Sequence, residues 1–246
     1  MSGTLNTILS TADSNLVFVA GGRERRLIVR RFAHARSMRL SVDPRDGAVR
    51  LSLPRRTSLA KALRWAESRR DWIEAALAEL PRPLAIEPGA VVPFDGSRLV
   101  VDWVRSAPRT PVRTNDRLRL GGPAESVPRR VLAWLRAEAA RVLAAETRTL
   151  AAAHDIEVRR ITVGDPRSRW GSCTEAGDIR YSWRLIMAPS AVRLATVAHE
   201  LAHRVHMNHG IEFHALVAEL LGTDPAPARS WLKRHGAELY WVGAPG

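Results

Sequence analysis

Hydrophobic and polar residues alternate in short runs near the start of the chain, with a period of two that predicts β-strands. Between residues 16 and 53, such runs occupy residues 27–32, 37–42 and 48–53. The period changes to that of a helix over residues 57–80, and short strand-like runs return over residues 88–120. The first half of the chain is therefore predicted to be β-rich, with one helix.

Helical spacing dominates the second half of the chain. A long helix is predicted over residues 126–154, with Ser126 as its N-cap. Three strand-like runs follow, at residues 158–163, 167–173 and 179–186. The chain then predicts three shorter helices, one capped by Ser190, one near residues 212–221 and one near residues 226–239.

A domain boundary is predicted at the turn Gly121-Gly-Pro123, where the strand-like half gives way to the helical half. This boundary divides the chain into three parts. Residues 1–15 form a flexible N-terminus, residues 16–122 a β-rich N-terminal region, and residues 123–246 a mixed domain.

Arginine dominates the charge of the chain. The formal net charge is +13, and all but two of the 38 basic residues are arginines. Such a surface attracts nucleic acid, other polyanions or acidic substrates, although a general enrichment in arginine would give the same composition. One candidate polyanion-binding face comprises Arg23, Arg25, Arg26, Arg30 and Arg31.

The sequence also bears on the compartment. No apolar run approaches the length of a membrane span, and the N-terminus lacks the basic start and apolar centre of a signal peptide. The single cysteine, Cys173, excludes an internal disulfide. We therefore expect a cytoplasmic protein, and leave its oligomeric state open.

The segment His199-Glu-Leu-Ala-His203 carries the clearest chemistry in the chain. Side chains four residues apart lie on one face of a helix, so both imidazoles can reach one metal ion. Glu200 lies where its carboxylate can act as general base on a metal-activated water. The pattern indicates a zinc-dependent hydrolase with one Zn²⁺ per chain.

A third ligand would complete a tetrahedral site and leave one position open for water. His209 is favoured, because the asparagine and glycine on either side of it predict a turn that brings the chain back to the helix. Glu219, on the following helix, is the alternative. His206 is better placed to contact a ligand than to bind the metal, and His214 is expected to be a core histidine.

Several motifs, in this order, resemble the YgjP-like metallopeptidase family, which is related to the SprT-like zinc peptidases. They are Ser168-Arg-Trp-Gly-Ser-Cys173, Ile179-Arg-Tyr-Ser-Trp-Arg-Leu-Ile-Met-Ala-Pro189, His199-Glu-Leu-Ala-His203 and Asn208-His209. The resemblance is specific from about residue 155 to residue 240. It continues more weakly through the N-terminal part of the chain.

The resemblance implies a compact α+β, zincin-like metallopeptidase domain at residues 123–246, with a small three-stranded sheet over the metal-binding helix. It also implies that His199, His203 and His209 bind zinc and that Glu200 is the general base. Family members often carry an acidic residue at the position of His206.

Residues before the metal helix could contact the substrate. Tyr181, Arg180 and Arg184 are candidates to stabilise the oxyanion, but strand alternation places Tyr181 opposite the two arginines, so the three cannot all face the metal. The strand at residues 170–173 could line the cleft and pair with an extended peptide, with Trp170 as a substrate contact. A buried structural strand is the competing interpretation.

The leading hypothesis is a zinc metallopeptidase that acts on a peptide or protein substrate. Metal-dependent hydrolysis of a nucleotide phosphoanhydride is an alternative that suits the basic surface. A DNA-associated, SprT-like protease is another, and a zinc protein without catalysis is the last.

Overall fold

The computed structural model describes residues 8–11, 15–20 and 22–244. It divides into two units, residues 1–82 and residues 83–246. The described residues form a mixed α/β structure with six α-helices and three small sheets. Among these helices, none is long and apolar enough to cross a membrane.

The first unit consists of a five-stranded sheet and two helices. Its strands are β1 (Ile8–Thr11), β2 (Asn15–Ala20), β3 (Arg23–Phe32), β4 (Arg39–Val42) and β5 (Val49–Pro54). They lie in the order β1-β2-β3-β5-β4, and only β3 and β5 run parallel. Alternate residues of the strands, including Phe18, Leu27 and Leu51, form a small core.

The single helix predicted over residues 57–80 is in fact two, α1 (Leu59–Glu67) and α2 (Arg70–Ala78). The prediction was wrong because Ser68 interrupts the helix. Its hydroxyl donates to the carbonyl of Trp65, a local bond that competes with the helical pattern.

The second unit is built around one long helix and a four-stranded sheet. The sheet contains β6 (Val91–Phe94), β7 (Ser97–Trp103), β8 (Val112–Thr114) and β9 (Arg117–Leu120), in the order β6-β7-β9-β8. The helix is α3 (Val127–Ala153). Its buried side chains recur every four residues, from Val127 to Ala151, and share one core with the sheet.

This shared core places the expected boundary at residues 122 and 123 inside the second unit. Leu118 and Leu120 of β9 lie in the same core as Val131 of α3, and the indole of Trp103 donates to the carbonyl of Gly122. The division between units falls 40 residues earlier, at Arg82 and Pro83. A glycine-rich turn marks a change of direction in the chain and does not by itself separate two cores.

The remaining elements of this unit are a three-stranded sheet and three helices. The strands are β10 (Arg160–Gly164), β11 (Gly171–Cys173) and β12 (Asp178–Ser182), in the order β10-β12-β11. The helices are α4 (Ser190–Ala202), α5 (Ile211–Leu221) and α6 (Ala226–His235). Within the part of the chain that the structure describes, β11 pairs only with β12, antiparallel, so it is an edge strand.

Two features of this region differ from the sequence prediction. The strand predicted over residues 179–186 ends at Ser182, whose hydroxyl accepts a hydrogen bond from the backbone of Arg184 and starts a 3-10 helix over Trp183–Met187. Ser190 is the first residue of α4 and not its N-cap, a position taken by Pro189.

The two ends of the second unit meet. The backbone N–H of Leu84 donates to the carbonyl of Trp241, and the N–H of Gly243 donates to the carbonyl of Leu84. These bonds form a short parallel bridge between Leu84 and Val242.

Candidate metal centre

The helix α4 presents two histidines near its C-terminal end. Apolar side chains anchor it in the core, among them Val197, Ala198 and Leu201, none of which is exposed. His199 lies in the last turn, and His203 is the residue at which the helix ends. The burial of α4 therefore fixes the direction in which both imidazoles point.

The chain then turns and brings His209 back beside the same helix. Backbone bonds from Arg204 to Leu201 and from His206 to Ala202 close the helix end. The N–H of Gly210 then donates to the carbonyl of Asn208 and tightens the next turn. This is the return that the Asn-His-Gly sequence predicts.

Three imidazoles meet at one point as a result. One ring nitrogen each of His199, His203 and His209 can be chosen so that all three atoms lie within 4.8 Å of one another. The Nε2 atoms of His199 and His209 are 3.2 Å apart. Two nitrogens bound to one tetrahedral zinc ion would be about 3.3 Å apart at the usual Zn–N distance. The three side chains therefore fit a zinc ion, with a fourth position left for water or substrate.

Phe213 supports all three imidazoles. This side chain of α5 is fully buried, and its ring centroid lies 4.9 Å from that of His199 and 4.6 Å from those of His203 and His209. An apolar ring at this place restricts the movement of the imidazoles and offers the metal no competing ligand.

A backbone carbonyl fixes the tautomer of His203. The Nδ1–H of His203 donates to the carbonyl oxygen of His206, over 3.2 Å. A carbonyl can only accept, so the lone pair is left on Nε2, the atom available to a metal. His206 thus contacts His203 through its main chain, whereas the sequence predicted a contact of its ring. Its own ring lies 3.8 Å from the carboxylate of Glu212.

The surroundings of His199 and His203 favour their neutral forms. Burial, followed by repulsion from His203 and His209, lowers the pKa of His199 to about 4. Burial also lowers the pKa of His203. Neutral imidazole is the form that binds metal, so the centre is ready for a cation at neutral pH.

Glu200 lies beside this centre and is almost completely buried, with 4% of its surface exposed. Burial raises the pKa of its carboxyl group to about 7, against a smaller opposing effect of the Arg169 guanidinium. No described residue hydrogen-bonds to the carboxylate. Its oxygens are therefore available to a water molecule or a substrate group.

A cavity of about 250 Å³ opens next to His199 and Glu200. Trp170, predicted as a substrate contact, forms one wall of it. Gly171, the first residue of β11, lies beside Trp170 on the same wall. The structure therefore brings Trp170 to the site together with the three histidines and Glu200.

Other predicted residues lie elsewhere. The Tyr181 hydroxyl is buried against α3 and bonded to Thr147, 3.1 Å away. Arg180 packs against Gly164 of β10, the strand at the opposite edge of the sheet from β11. Arg184 pairs with Asp165, between the rings of Trp183 and Tyr240. None of the three candidates for the oxyanion lines the cavity. Tyr181 and Arg180 lie on β12 but pack against α3 and β10, and Arg184 lies beyond the end of that strand.

The two competing ligands can also be placed. Glu219 is an exposed residue two turns along α5 from Phe213, and it is not part of the histidine cluster. His214, expected in the core, is exposed, and its ring centroid lies 6.3 Å from that of His209. The expectation for His214 was wrong because Phe213 takes the inward position of this helical turn.

The comparison with known families agrees with this geometry. The family model described as YgjP-like, metallopeptidase domain, matches residues 36–235 and so covers most of the chain. The chain belongs to the YgjP-like family. The resemblance seen in the sequence motifs is thereby confirmed. No curated protein and no solved structure matches the chain.

Two arginines of this YgjP-like chain escaped the sequence analysis. Arg169 and Arg229 both line the cavity and are exposed. Arg169 lies directly before Trp170 in the motif Ser168-Arg-Trp-Gly-Ser-Cys173. That motif was the signal that could have indicated Arg169. Arg229 lies on α6, 29 residues after Glu200. It carries no local signal, because only the packing of α6 against α4 brings it to the site.

Proposed function

We propose that the protein is a zinc-dependent metallopeptidase with a zincin-like arrangement of helix, edge strand and metal site. The observation that carries this proposal is the meeting of three metal-competent imidazoles with a buried carboxylate that faces an open cavity. Membership of a metallopeptidase family supports it.

Each residue has a distinct role in this proposal. His199, His203 and His209 hold the zinc ion, which supplies Lewis acidity to a substrate carbonyl and lowers the pKa of the attacking water. Glu200 accepts the proton of that water and returns it to the leaving amine. Burial raises the pKa of this carboxyl group, which makes it a stronger base toward the water proton.

The edge strand β11 is the proposed support for the substrate backbone. Among the described residues, only β12 pairs with it, and Gly171 stands beside Glu200. An extended peptide that added to β11 would therefore pass the metal centre. Exposed apolar side chains at Val205, Met207 and Ile211, which lie within four residues of His209 in the sequence, offer further contact to such a chain.

The test is cleavage of a mixed peptide library by protein loaded with one zinc ion per chain. We expect cleavage by the wild type and loss of at least 100-fold in Glu200→Gln, with zinc retained. His214→Ala is the matched histidine control and should keep both zinc and activity. Equal cleavage by wild type and Glu200→Gln would show that the activity comes from a contaminant and would remove the proposal.

The same proteins test the nucleotide alternative. Hydrolysis of nucleoside triphosphates would be measured for wild type and Glu200→Gln under identical conditions. Turnover that depends on Glu200, without peptide cleavage, would assign this centre to phosphoanhydrides. A zinc ion retained without either activity would favour a non-catalytic role.

A second function, binding of nucleic acid, is favoured by the charge of the first unit. Residues 1–82 contain sixteen basic and eight acidic residues, a net charge of +8 in a third of the chain. The strand register places Arg26, Arg30 and Arg39 on one face of the sheet, opposite the core, and all three are exposed. Of the arginines proposed from the sequence, Arg23, Arg25 and Arg31 point to the other face.

The salt dependence of DNA binding tests this second function. For the wild type, we expect the logarithm of affinity to fall steeply with the logarithm of salt concentration. A variant with Arg26, Arg30 and Arg39 all changed to Gln should have a shallower slope, by about one unit for each arginine removed. A triple Arg117, Arg148 and Arg234→Gln variant, with the same change in net charge, is the control. Equal slopes in the two variants would show that total charge, and not this face, attracts DNA.

A further inference from the structure

The cavity beside the metal centre has an apolar wall and a polar end. Its wall is formed by Val192, Ala195, Val217, Ala228, Leu232 and Trp170, from three helices and the start of β11. Its polar end is formed by His199 and Glu200. A group that enters the cavity is therefore held within contact distance of the residues that carry the proposed chemistry.

The wall is preformed. The indole of Trp170 packs over Gly236, where a Cβ would lie 2.6 Å from the Trp170 ring, and its centroid lies 5.7 Å from that of Tyr240. Glycine at position 236 thus lets the indole approach the end of α6. Because these contacts hold the indole in place, the shape of the wall can select among substrates.

The size of the cavity suits one large apolar side chain. Pockets for drug-sized ligands have volumes of about 300 to 1,000 Å³. This cavity, of about 250 Å³, is smaller. A Leu or Phe side chain buried in the cavity should be preferred over glycine or alanine by roughly ten- to a hundredfold.

Two unneutralised cations border the same cavity. Arg169 and Arg229 are exposed, and no side-chain hydrogen bond or ion pair joins either guanidinium to another described residue. Both lie close to the centre, because they line the same cavity as His199 and Glu200. An anionic group of the substrate would find these guanidiniums available.

We propose that this cavity is a subsite for an apolar side chain and that Arg169 and Arg229 bind a carboxylate next to that side chain. This inference rests on the proposed peptidase function and names its substrate class. The carboxylate of a peptide is either its C-terminus or the side chain of a neighbouring Asp or Glu. Both have the planar, two-oxygen geometry that a guanidinium binds with paired hydrogen bonds.

Peptide cleavage tests the preference and its source. The substrates are N-acetylated peptides that end in Ala-Phe with a free carboxylate, the same peptides with a C-terminal amide, and amides that end in Ala-Phe-Glu. We expect at least one carboxylate peptide to be cleaved with tenfold or greater kcat/KM than the neutral amide. The better of the two identifies the source of the carboxylate.

Variants show whether the arginines cause the preference. Arg169→Gln and Arg229→Gln should each lower kcat/KM for the preferred peptide about tenfold more than they lower kcat/KM for the neutral amide. Arg234→Gln, on the same helix as Arg229 but outside the cavity, should change neither. An equal loss for charged and neutral peptides would overturn the proposal, because the arginines would then act on the centre and not on the substrate.

A binding experiment separates this inference from the proposed function. Zinc-loaded Glu200→Gln is titrated with N-acetylphenylalanine, its amide and N-acetylglycine, with and without Arg229→Gln. We expect the carboxylate ligand to lose about tenfold in affinity in Arg229→Gln at unchanged zinc content. Ala228→Leu, which fills the cavity, should weaken N-acetylphenylalanine about tenfold and leave N-acetylglycine unchanged.

The outcomes of the two arms differ. If no peptide is cleaved but binding depends on Arg229 and on the cavity, the proposed function fails and the subsite stands. If cleavage depends on Glu200, but variants of Arg169, Arg229 and Ala228 change neither ligand binding nor substrate selectivity, the function stands and the subsite is refuted.

Discussion

Gly171 leaves the space that the carboxylate of Glu200 occupies. A Cβ at position 171 would lie 2.4 Å from Oε1 of Glu200, 2.6 Å from its Cγ and 2.7 Å from its Cδ. These distances are far below van der Waals contact, so any other residue at 171 must displace the carboxylate or the edge strand. Glycine is required here by a close approach between backbone and side chain.

We expect Gly171→Ala to lose activity without losing zinc. The added methyl group would move the Glu200 carboxylate by about 1 Å, a displacement that can cost about 100-fold in rate. The measurement is kcat/KM together with zinc content per chain. Ser172→Ala, at the next position of β11, is the control and should stay within threefold of wild type. Full activity in Gly171→Ala would mean that Glu200 does not act from the position seen in the structure.

The three histidines should be jointly required for metal binding. We expect about one zinc ion per wild-type chain by elemental analysis, and less than a tenth of that after dialysis in His199→Ala, His203→Ala or His209→Ala. His214→Ala should retain zinc, since this exposed ring lies outside the cluster. Zinc retained by His209→Ala with unchanged affinity would contradict the assignment of the third ligand.

The buried carboxyl group of Glu200 should make metal-free protein sensitive to pH. Its folded-state pKa, about 7, lies above its ordinary value of 4.5, so the folded state binds more protons between these two values. The stability that Glu200 contributes is therefore present below pH 4.5 and lost as pH rises through 7.

Glu200→Gln should remove this loss. We expect the free energy of unfolding of metal-free Glu200→Gln, relative to metal-free wild type, to rise by roughly 3 kcal/mol between pH 4.5 and pH 8. The lowered pKa of His199 has the opposite pH dependence, but it is present in both proteins and cancels in the comparison to first order. A difference that does not change with pH would show that Glu200 is not desolvated in solution.

Arg193 should contribute to the stability of the metal helix. Its guanidinium is buried in α4 and binds Glu146 of α3, with a contact of 2.7 Å, and Asp95 of the β6–β7 turn, at 2.8 Å. We expect Arg193→Met to lower the free energy of unfolding by roughly 3 kcal/mol, because it leaves Glu146 without a partner. Urea unfolding measures this loss.

A second variant distinguishes charge from packing at this place. Arg193→Met combined with Glu146→Leu should recover part of the loss, since an apolar pair can replace a buried ion pair. No recovery would indicate that the side-chain packing of Arg193, or its bond to Asp95, matters more than its pairing with Glu146.

The sequence predicts the centre of this site better than its surroundings. His199 and His203 are related by helical spacing, and His209 follows in the next turn, so local rules suffice for all three. Gly171 and Glu200 meet only because β11 lies along α4. Asp95 and Arg193 are 98 residues apart. Contacts of this kind depend on tertiary packing, which no local pattern contains.

The fold shows the same limit. The long helix α3 was placed within one residue at either end, since its apolar spacing is regular over seven turns. The misplaced features, at Ser68, Ser182 and Gly122, depend on single side-chain bonds or on which core a strand joins. Neither a serine hydroxyl bonded to the nearby backbone nor a core shared by two segments changes the pattern of hydrophobic and polar residues along the sequence. The pattern therefore could not predict these features.

The bridge between Leu84 and Val242 means that the second unit is closed on itself. A short linker from residue 244 to residue 83 would join the two paired segments without disturbing the hydrogen bonds between them. New ends could then be opened at the exposed residues 174–176, between β11 and β12. A circularly permuted unit of this kind would keep α4, β11 and the histidine cluster in one continuous core, with its two ends at the strands beside Glu200 instead of at Leu84.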